Sequence, residues 1–300
     1  GVRLVGSEMC IRDRTCVVNG TLYGLPWYVD TRVLFYRKDL LAQVGFPNPP
    51  KDWEELKTAA RRLAERRTAD GKKAYGIALG ARSWNELLLA VWQNGGDPLK
   101  PAAPEFAEAV DHYVGFFREG LSPTKEAADM NLFHAFKTGY LPMFISGPWM
   151  VELTRKELPE MTGRWGVAVL PGKKNRTSFV GGSNLVIFKD SKKKDLAWKF
   201  LEFMSEPTNQ VEWMKITTDL PSATKAWKDP YFADKPLIQV FGKQMFDTAS
   251  PPTIPEWEQV ANAIDDAMEK IVLDPRMGPK DVEASLADLQ ARILKLQTDS

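Results

Sequence analysis

The sequence is poor in the residues from which most catalytic and metal chemistry is built. Two cysteines and two histidines stand among 300 residues. So few thiols exclude a disulfide-rich scaffold, and so few imidazoles argue against a histidine-built metal site. Excess charge of one sign is also missing, with 40 Lys and Arg against 39 Asp and Glu. That balance gives no electrostatic case for nucleic acid or an anionic membrane surface. No apolar run approaches the roughly 18 residues that span a bilayer. His112 lies mid-helix and His134 beside Phe133, neither near a G-x-S-x-G turn or a cysteine nucleophile. Gly181-Gly182-Ser183 lacks the spacing and following lysine of a phosphate loop. No cofactor or metal is implied. Two carboxylates across a sugar cleft suffice for a glycosidase, so Asp30 and Glu86 keep that class open.

The chain opens GVRLVGSEMCIRDR, without the basic start, apolar run and cleavage site of a secretory signal. Residues 4–14 look like a translated sequencing-library adapter, whose codons read Met-Cys-Ile-Arg-Asp at Met9–Asp13. Residues 1–14 are therefore expected to be a non-native tail, and the true start to be missing. Taking its three arginines and two acids from 40 and 39 leaves 37 of each. Cys10 goes with it, so no disulfide or compartment can be read from cysteine usage.

From Thr15 onward extended and helical patterns alternate, which predicts an α/β protein. Leu22–Tyr28 and Val33–Tyr36 read as strands flanking a bend at Asp30–Arg32. Asp52 caps a helix running to about Arg67, with Leu56, Ala60, Leu63 and Ala64 as its buried stripe. Ser83 and Glu86 have the spacing of a capping box, opening a helix that stops at Gly95-Gly96. Further helices are expected at 104–119, 131–138, 195–204, 207–216, 255–273 and 279–296, with strands at 141–145, 165–170 and 184–188. A helix also follows Gly147-Pro148, and a loop segment carries Pro221 and Pro230.

The unusual abundance is aromatic, with ten tryptophans beside 21 prolines and 21 glycines. Trp53, Trp92, Trp165, Trp198 and Trp213 fall inside apolar helix or strand patterns and are expected to pack in the core. Trp27, Trp84, Trp149 and Trp257 stand where elements begin or the chain turns. Loops and helix starts are where ligands are met, and a flat ring beside Asn, Asp, Gln and Arg suits a sugar. Core packing remains the alternative for these four.

The segment LYGLPWYVDTRVLFYRKDLLAQVGFPNPPKDWEELKTAA resembles the extracellular solute-binding proteins of ABC importers, in the family containing the maltose-binding protein. LPMFISGPWM (141–150), RWGVAVLPG (164–172), FVGGSNLVIFKDS (179–191), KDLAWKFLEFMSEP (194–207), LPSATKAW (220–227) and PPTIPEWEQV (251–260) follow in the family's order. The resemblance covers essentially residues 20–297. It implies a type II periplasmic-binding-protein-like fold of two α/β lobes with hinge crossings, the N-terminal lobe truncated. Residues 15–32 would be the end of that lobe and the first crossing, and 33–178 the C-lobe. The second crossing and remaining N-lobe would be 179–223, and the third crossing with C-lobe helices 224–300.

The implied function is carbohydrate binding in an interlobe cleft and delivery to the transmembrane permease subunits of an ABC transporter. The receptor would be a monomer, periplasmic or extracellular and lipid-anchored. Trp149 of GPW and Trp257 of PEW match aromatics that stack on sugars in the family. Trp27, Tyr28, Asp30 and Arg32 would line the first crossing, and Gly181, Gly182, Ser183 and Asn184 the second. Trp84, Asn85 and Gln93 would contribute from the Ser83 helix, while Trp53 is a packing residue. For Asp30 and Arg32 a plain ion pair fixing the hinge is the competing role. A phosphate ligand such as glycerol phosphate would want an arginine cluster, and a polyamine several carboxylates. One Arg and one Asp suit a neutral ligand better. An incomplete lobe would leave apolar surface exposed, favour aggregation and weaken binding by residues 15–300 alone.

Overall fold

The computed structural model describes residues 16–18, 20–68, 71–124 and 131–298; the expected foreign tail, 1–14, lies outside them. Strands β1 (Val17–Val18) and β2 (Thr21–Leu22) form a small hairpin, followed by β3 (Leu25–Thr31) and β4 (Val33–Arg37). Helices α1 (Lys38–Gln43), α2 (Trp53–Ala64), α3 (Trp84–Gln93), α4 (Pro104–Arg118) and α5 (Leu132–Thr138) lead to β5 (Met143–Ser146). Then come α6 (Trp149–Glu157), β6 (Trp165–Ala168), β7 (Ser178–Leu185), α7 (Lys194–Ser205), α8 (Pro207–Thr217) and β8 (Leu220–Pro221). The chain ends with α9 (Pro236–Gln244), β9 (Thr248–Ala249), α10 (Trp257–Leu273) and α11 (Pro279–Thr298). The α/β class is as expected.

Three boundaries differ from the sequence reading, each for a physical reason. Only Arg32 interrupts the run from Leu25 to Arg37, because Asp30 and Thr31 stay paired to Gly181 and Val180. The strand expected at 184–188 instead begins at Ser178 and stops at Leu185, where its partner β3 begins. Helix α9 lies in the segment taken as loop. It buries Ile238 and Phe241, too short a stripe to show a helical period.

The sheets have the orders β8-β3-β7-β9 and β5-β4-β6. Every residue of β4 is buried, and its two faces serve two cores. Leu34 and Tyr36 join the core built by α2, α3, α4, α10 and α11. Val33 and Phe35 face the other core, where Phe35 stacks on Phe144 with ring centroids 4.8 Å apart. This second core continues through Val29 and Val180 of the four-stranded sheet to Val211 and Met214 of α8. Each such side chain contributes about 1.5–3 kcal/mol on burial, so the strand run ties the two sheets firmly. Val260, Ile264 and Ile271 of α10 and Val282, Leu286, Leu289 and Ile293 of α11 are buried as their spacing predicts.

Helix α7 is apolar on more than its buried side. Leu201 and Met204 pack inward, while Leu196, Phe200 and Phe203 form an i, i+4, i+7 stripe more than half exposed. Val186 and Phe188 add further exposed apolar surface. Trp198, expected in the core, is only half-buried on this helix and donates to Glu202 Oε1 at 2.9 Å. Replacing Phe200 and Phe203 by Ser is expected to lower hydrophobic-dye binding and aggregation. The unfolding free energy should stay within about 0.5 kcal/mol, since exposed positions contribute little. Dye fluorescence, light scattering and urea melts check this.

His112 stacks on Trp53 at 3.8 Å with planes 11° apart. Burial lowers its pKa from 6.5 to about 3, and repulsion from Lys57 and Lys173 adds to the effect. The unfolded chain then binds the proton more readily, so this contribution is complete above pH 6.5 and is lost as pH falls toward 3. His112→Phe should retain about 2–3 kcal/mol that the parent loses between pH 7 and 4.5. Urea melts of both proteins across that range test it.

Candidate functional site

The pairing of β3 with β7 builds the site. A bulge between Pro26 and Tyr28 resets the register, after which Tyr28 pairs with Ser183, Val29 with Gly182, Asp30 with Gly181 and Thr31 with Val180. Alternation sends Val29, Thr31 and Val180 into the sheet's buried side and Tyr28, Asp30 and Arg32 to the opposite face. Ser183, Gly181 and Phe179 meet them across the pair. The Ser183 hydroxyl donates to Tyr28 Oη at 3.0 Å. At the break after Thr31, the Arg32 N–H donates to Ser178 Oγ at 3.2 Å, and that hydroxyl donates to the Arg32 carbonyl at 2.8 Å. Ser178 is fully buried, so both backbone groups at the break are satisfied.

Arg32 is the centre of the cluster. Its Nη1 lies 2.7 Å from Asp30 Oδ1, and the two side chains are only 17% and 19% exposed. Its guanidinium carbon sits 4.8 Å from the Trp149 ring centroid and 5.2 Å from that of Phe179. Phe179 meets Trp84 edge-on at 6.1 Å, and Trp84 meets Trp257 at 5.3 Å. A continuous row therefore runs Trp149, Arg32, Phe179, Trp84, Trp257. Glycines make the close approaches possible. A Cβ on Gly147 would lie 2.1 Å from the Trp149 ring, and one on Gly181 would lie 2.4 Å from Asp30 Oδ1. Gly182 adopts φ +116, where a Cβ would meet the Tyr28 carbonyl oxygen at 2.2 Å.

Not every expected residue joins this face. Gln93 is buried, its Oε1 accepting from Trp53 Nε1 at 2.7 Å and its Nε2 donating to the Thr177 carbonyl. A side-chain amide so committed is a structural bolt. Trp257 is only 9% exposed and packs with α3 and α10, so it backs Trp84 rather than presenting a face. Trp149, by contrast, is 37% exposed. Trp27 lies farther along β3, against Trp213 at 4.7 Å and Tyr28 at 5.4 Å. Asn184, opposite Pro26, belongs to that same end of the pair. Asn85 stays at the start of α3, where its Oδ1 accepts from the Ser83 hydroxyl and the Glu86 N–H.

The expected capping box does not form. Ser83 accepts no helical N–H, and the Glu86 carboxylate accepts instead from the Gly80 N–H at 2.8 Å and the Tyr113 hydroxyl at 3.0 Å. Burial raises the Glu86 pKa, and those hydrogen bonds pull the other way. Phe179 joins this candidate face without being marked by the sequence, where the strand is expected only from 184; the alternation Phe179, Gly181, Ser183 carries its signal. Among the described residues no three His, Cys, Asp or Glu side chains are grouped to hold a metal ion.

The face sets an aromatic row, an ion pair and close-approach glycines side by side, the mixture of apolar and polar groups found in small-molecule sites. Residues 16–240 match the family described as bacterial extracellular solute-binding protein, and the chain belongs to that family. The sugar-binding protein MalE of Xanthomonas citri superposes with a TM-score of 0.86 at 30% identity, over 98% of this chain and 75% of its own. The fold is thus the mixed α/β fold of MalE-like periplasmic binding proteins. The maltodextrin-binding protein of Bacillus subtilis is 27% identical over 294 residues, covering 90% of this chain and 66% of the relative. A galactooligosaccharide-binding protein of the same organism is 25% identical over 275 residues, 85% of this chain and 62% of the relative.

Gly181→Ala should push Asp30 and Phe179 out of place and destabilise the fold by about 1–3 kcal/mol, the usual cost of overpacking. Gly163→Ala, where a Cβ has open space, is the comparison for φ strain alone. Denaturant melts of the two variants should separate the steric cost from the backbone cost.

Proposed function

We propose that this chain is the substrate-binding component of an ABC importer, taking a mono- or oligosaccharide into an interlobe cleft for delivery to a membrane permease. The observation that carries this is Arg32, paired with Asp30 and lying against Trp149 and Phe179. A sugar has apolar C–H faces and a rim of hydroxyls. Trp149 offers a partly exposed ring, while Asp30 supplies an acceptor and Arg32 donors beside it. Tyr28 and Ser183 extend the polar rim along the strands. The pair carries no net charge, which suits a neutral ligand and leaves a phosphate without its arginine cluster. Relatives named for maltodextrin and galactooligosaccharide binding support the same chemistry.

The crossings at Leu22–Arg32, Phe179–Ser183 and 224–236 would serve as the hinge between a lobe of 33–178 with 237–300 and a lobe containing 184–223. Closure about them buries the ligand. The reading is binding without turnover, as family membership implies, and Glu86, the candidate partner of Asp30, is committed to Gly80 and Tyr113. The receptor works outside the cytoplasmic membrane, in the periplasm or at the cell surface.

Titration with maltotriose, galactobiose and diacetylchitobiose to millimolar concentration, followed by tryptophan fluorescence and thermal melts, tests the proposal. At least one sugar should give a saturable signal and raise the melting temperature, with no reducing sugar released. Trp149→Ala should weaken binding by about tenfold or more, equivalent to about 1.4 kcal/mol. Release of reducing sugar, or a response to glycerol 3-phosphate or spermidine and to none of the sugars, would overturn it.

A further inference from the structure

We infer that Asp265 is a positioning residue for the binding face, holding Trp84 in place by capping helix α3 from helix α10. Ser83 occupies the cap position of α3, yet its hydroxyl donates to Asn85 Oδ1 at 2.7 Å and takes no helical N–H. The Trp84 N–H, first of the helix and not the one a preceding cap side chain serves, donates to Asp265 Oδ1 at 2.6 Å. A carboxylate at a helix start is favoured both by the hydrogen bond and by the helix dipole. The residue just before a helix ordinarily caps its second or third N–H. Here the first is held from 181 residues along the chain.

A second contact clamps the same entry. Arg82 Nη1 lies 2.7 Å from Asp266 Oδ1 and 3.0 Å from Glu269 Oε2, both on α10. Asp266 in turn holds Arg292 of α11 at 3.2 Å. Residues 82–84 are thus fastened to one stretch of α10. That helix also opens with Trp257, whose ring meets Trp84 at 5.3 Å and 81°. Since Trp84 is the first residue of α3, the N–H that Asp265 holds belongs to the residue whose ring must be placed. The buried apolar side chains of α3 and α10 already pack the two helices together. What the carboxylate adds is the position of Trp84 along α10, and with it the tilt of the row toward Phe179 and Arg32.

The consequence for ligand rests on the sugar-binding function proposed above, whereas the placement of Trp84 does not. The two are separated by measuring both. Trp84 and Trp257 are close enough for exciton coupling, which circular dichroism near 225–230 nm reads without ligand; Trp84→Phe and Trp257→Phe identify the signal. In the full chain, Asp265→Ala should lose at least about half of that couplet and bind maltotriose about fivefold more weakly. Asp265→Asn keeps the acceptor oxygen and should retain the couplet, with affinity within about twofold of the parent. The melting temperature should fall by no more than about 3 °C in either, as for the loss of one cap in a chain of this size. If Asp265→Ala fails to fold, Asp265→Ser, polar but too short to reach the Trp84 N–H, is read in its place. A couplet unchanged in the Ala or Ser variant, or lost equally in Asp265→Asn, overturns the assignment. If the parent binds no sugar, the couplet alone decides it, and the failure falls on the proposed ligand.

Discussion

The antiparallel pairing of β3 with β7 is the constraint on which the rest of the structure depends. Leu25 to Arg37 is one extended run that belongs to two sheets, interrupted only at Arg32. At that residue the buried Ser178 hydroxyl satisfies both the N–H and the carbonyl, so the chain passes between sheets without an unpaired backbone group. Because side chains alternate with a period of two, a slip of one residue would turn Asp30 into the core and Val29 outward. The core contacts of Val29 and Val180 forbid that slip. The register that buries these two is also the one that sets Asp30 opposite Gly181 and brings Arg32 beside Phe179.

Glycine completes the geometry in a way that substitution chemistry cannot mimic. Asp30 occupies space that a side chain at position 181 would fill, and the Trp149 indole lies over the backbone at Gly147. The face is therefore assembled from large rings and charged groups set against positions with no side chain. A guanidinium resting on two rings is held with little freedom, and its pairing to Asp30 restricts both further. Groups ordered before a ligand arrives have less conformational freedom left to lose on binding, so more of each contact appears as affinity.

Much of the helical frame was legible because it is written in local patterns. Asp52 caps α2, its side chain accepting from the Glu55 N–H at 2.8 Å, and α10 and α11 bury the stripes their spacing announces. The grouping of the candidate face was legible in part. Asp30, Arg32, Trp84 and Trp149 were marked by type and position, but nothing local distinguishes Trp257, which is buried, from Trp149, which is not. Gln93 looked like a ligand donor and is consumed by Trp53, 40 residues away in sequence. The Ser83–Glu86 spacing announced a capping box, yet the neighbouring Asn85 takes the Ser83 hydroxyl and the Glu86 N–H, while Gly80 and Tyr113 take the Glu86 carboxylate. For Gln93 and Glu86 the cause is the same. A polar side chain's partner is set by tertiary contact, and sequence spacing constrains only the partners within a turn or two.

The acids around the start of α3 also show how the aromatic row is kept apart from the fold's own stability. Glu86 turns inward to Gly80 and Tyr113, while Asp265 reaches outward to the first N–H of the same helix. Helix α3 is thus held at one end by two acids from different directions, beyond what its buried leucines require. Apolar packing alone permits small rotations and translations between helices, since the contacts it offers are non-directional. Hydrogen bonds to charged groups are directional and short, and they fix what packing leaves free. A row of rings spanning α10, α3, β7 and α6 needs that fixing, because an error at any helix is carried to the next ring. The polar contacts around α3 therefore bear on where Trp84 stands relative to Phe179 and Arg32, and the apolar contacts on whether the helix is there at all.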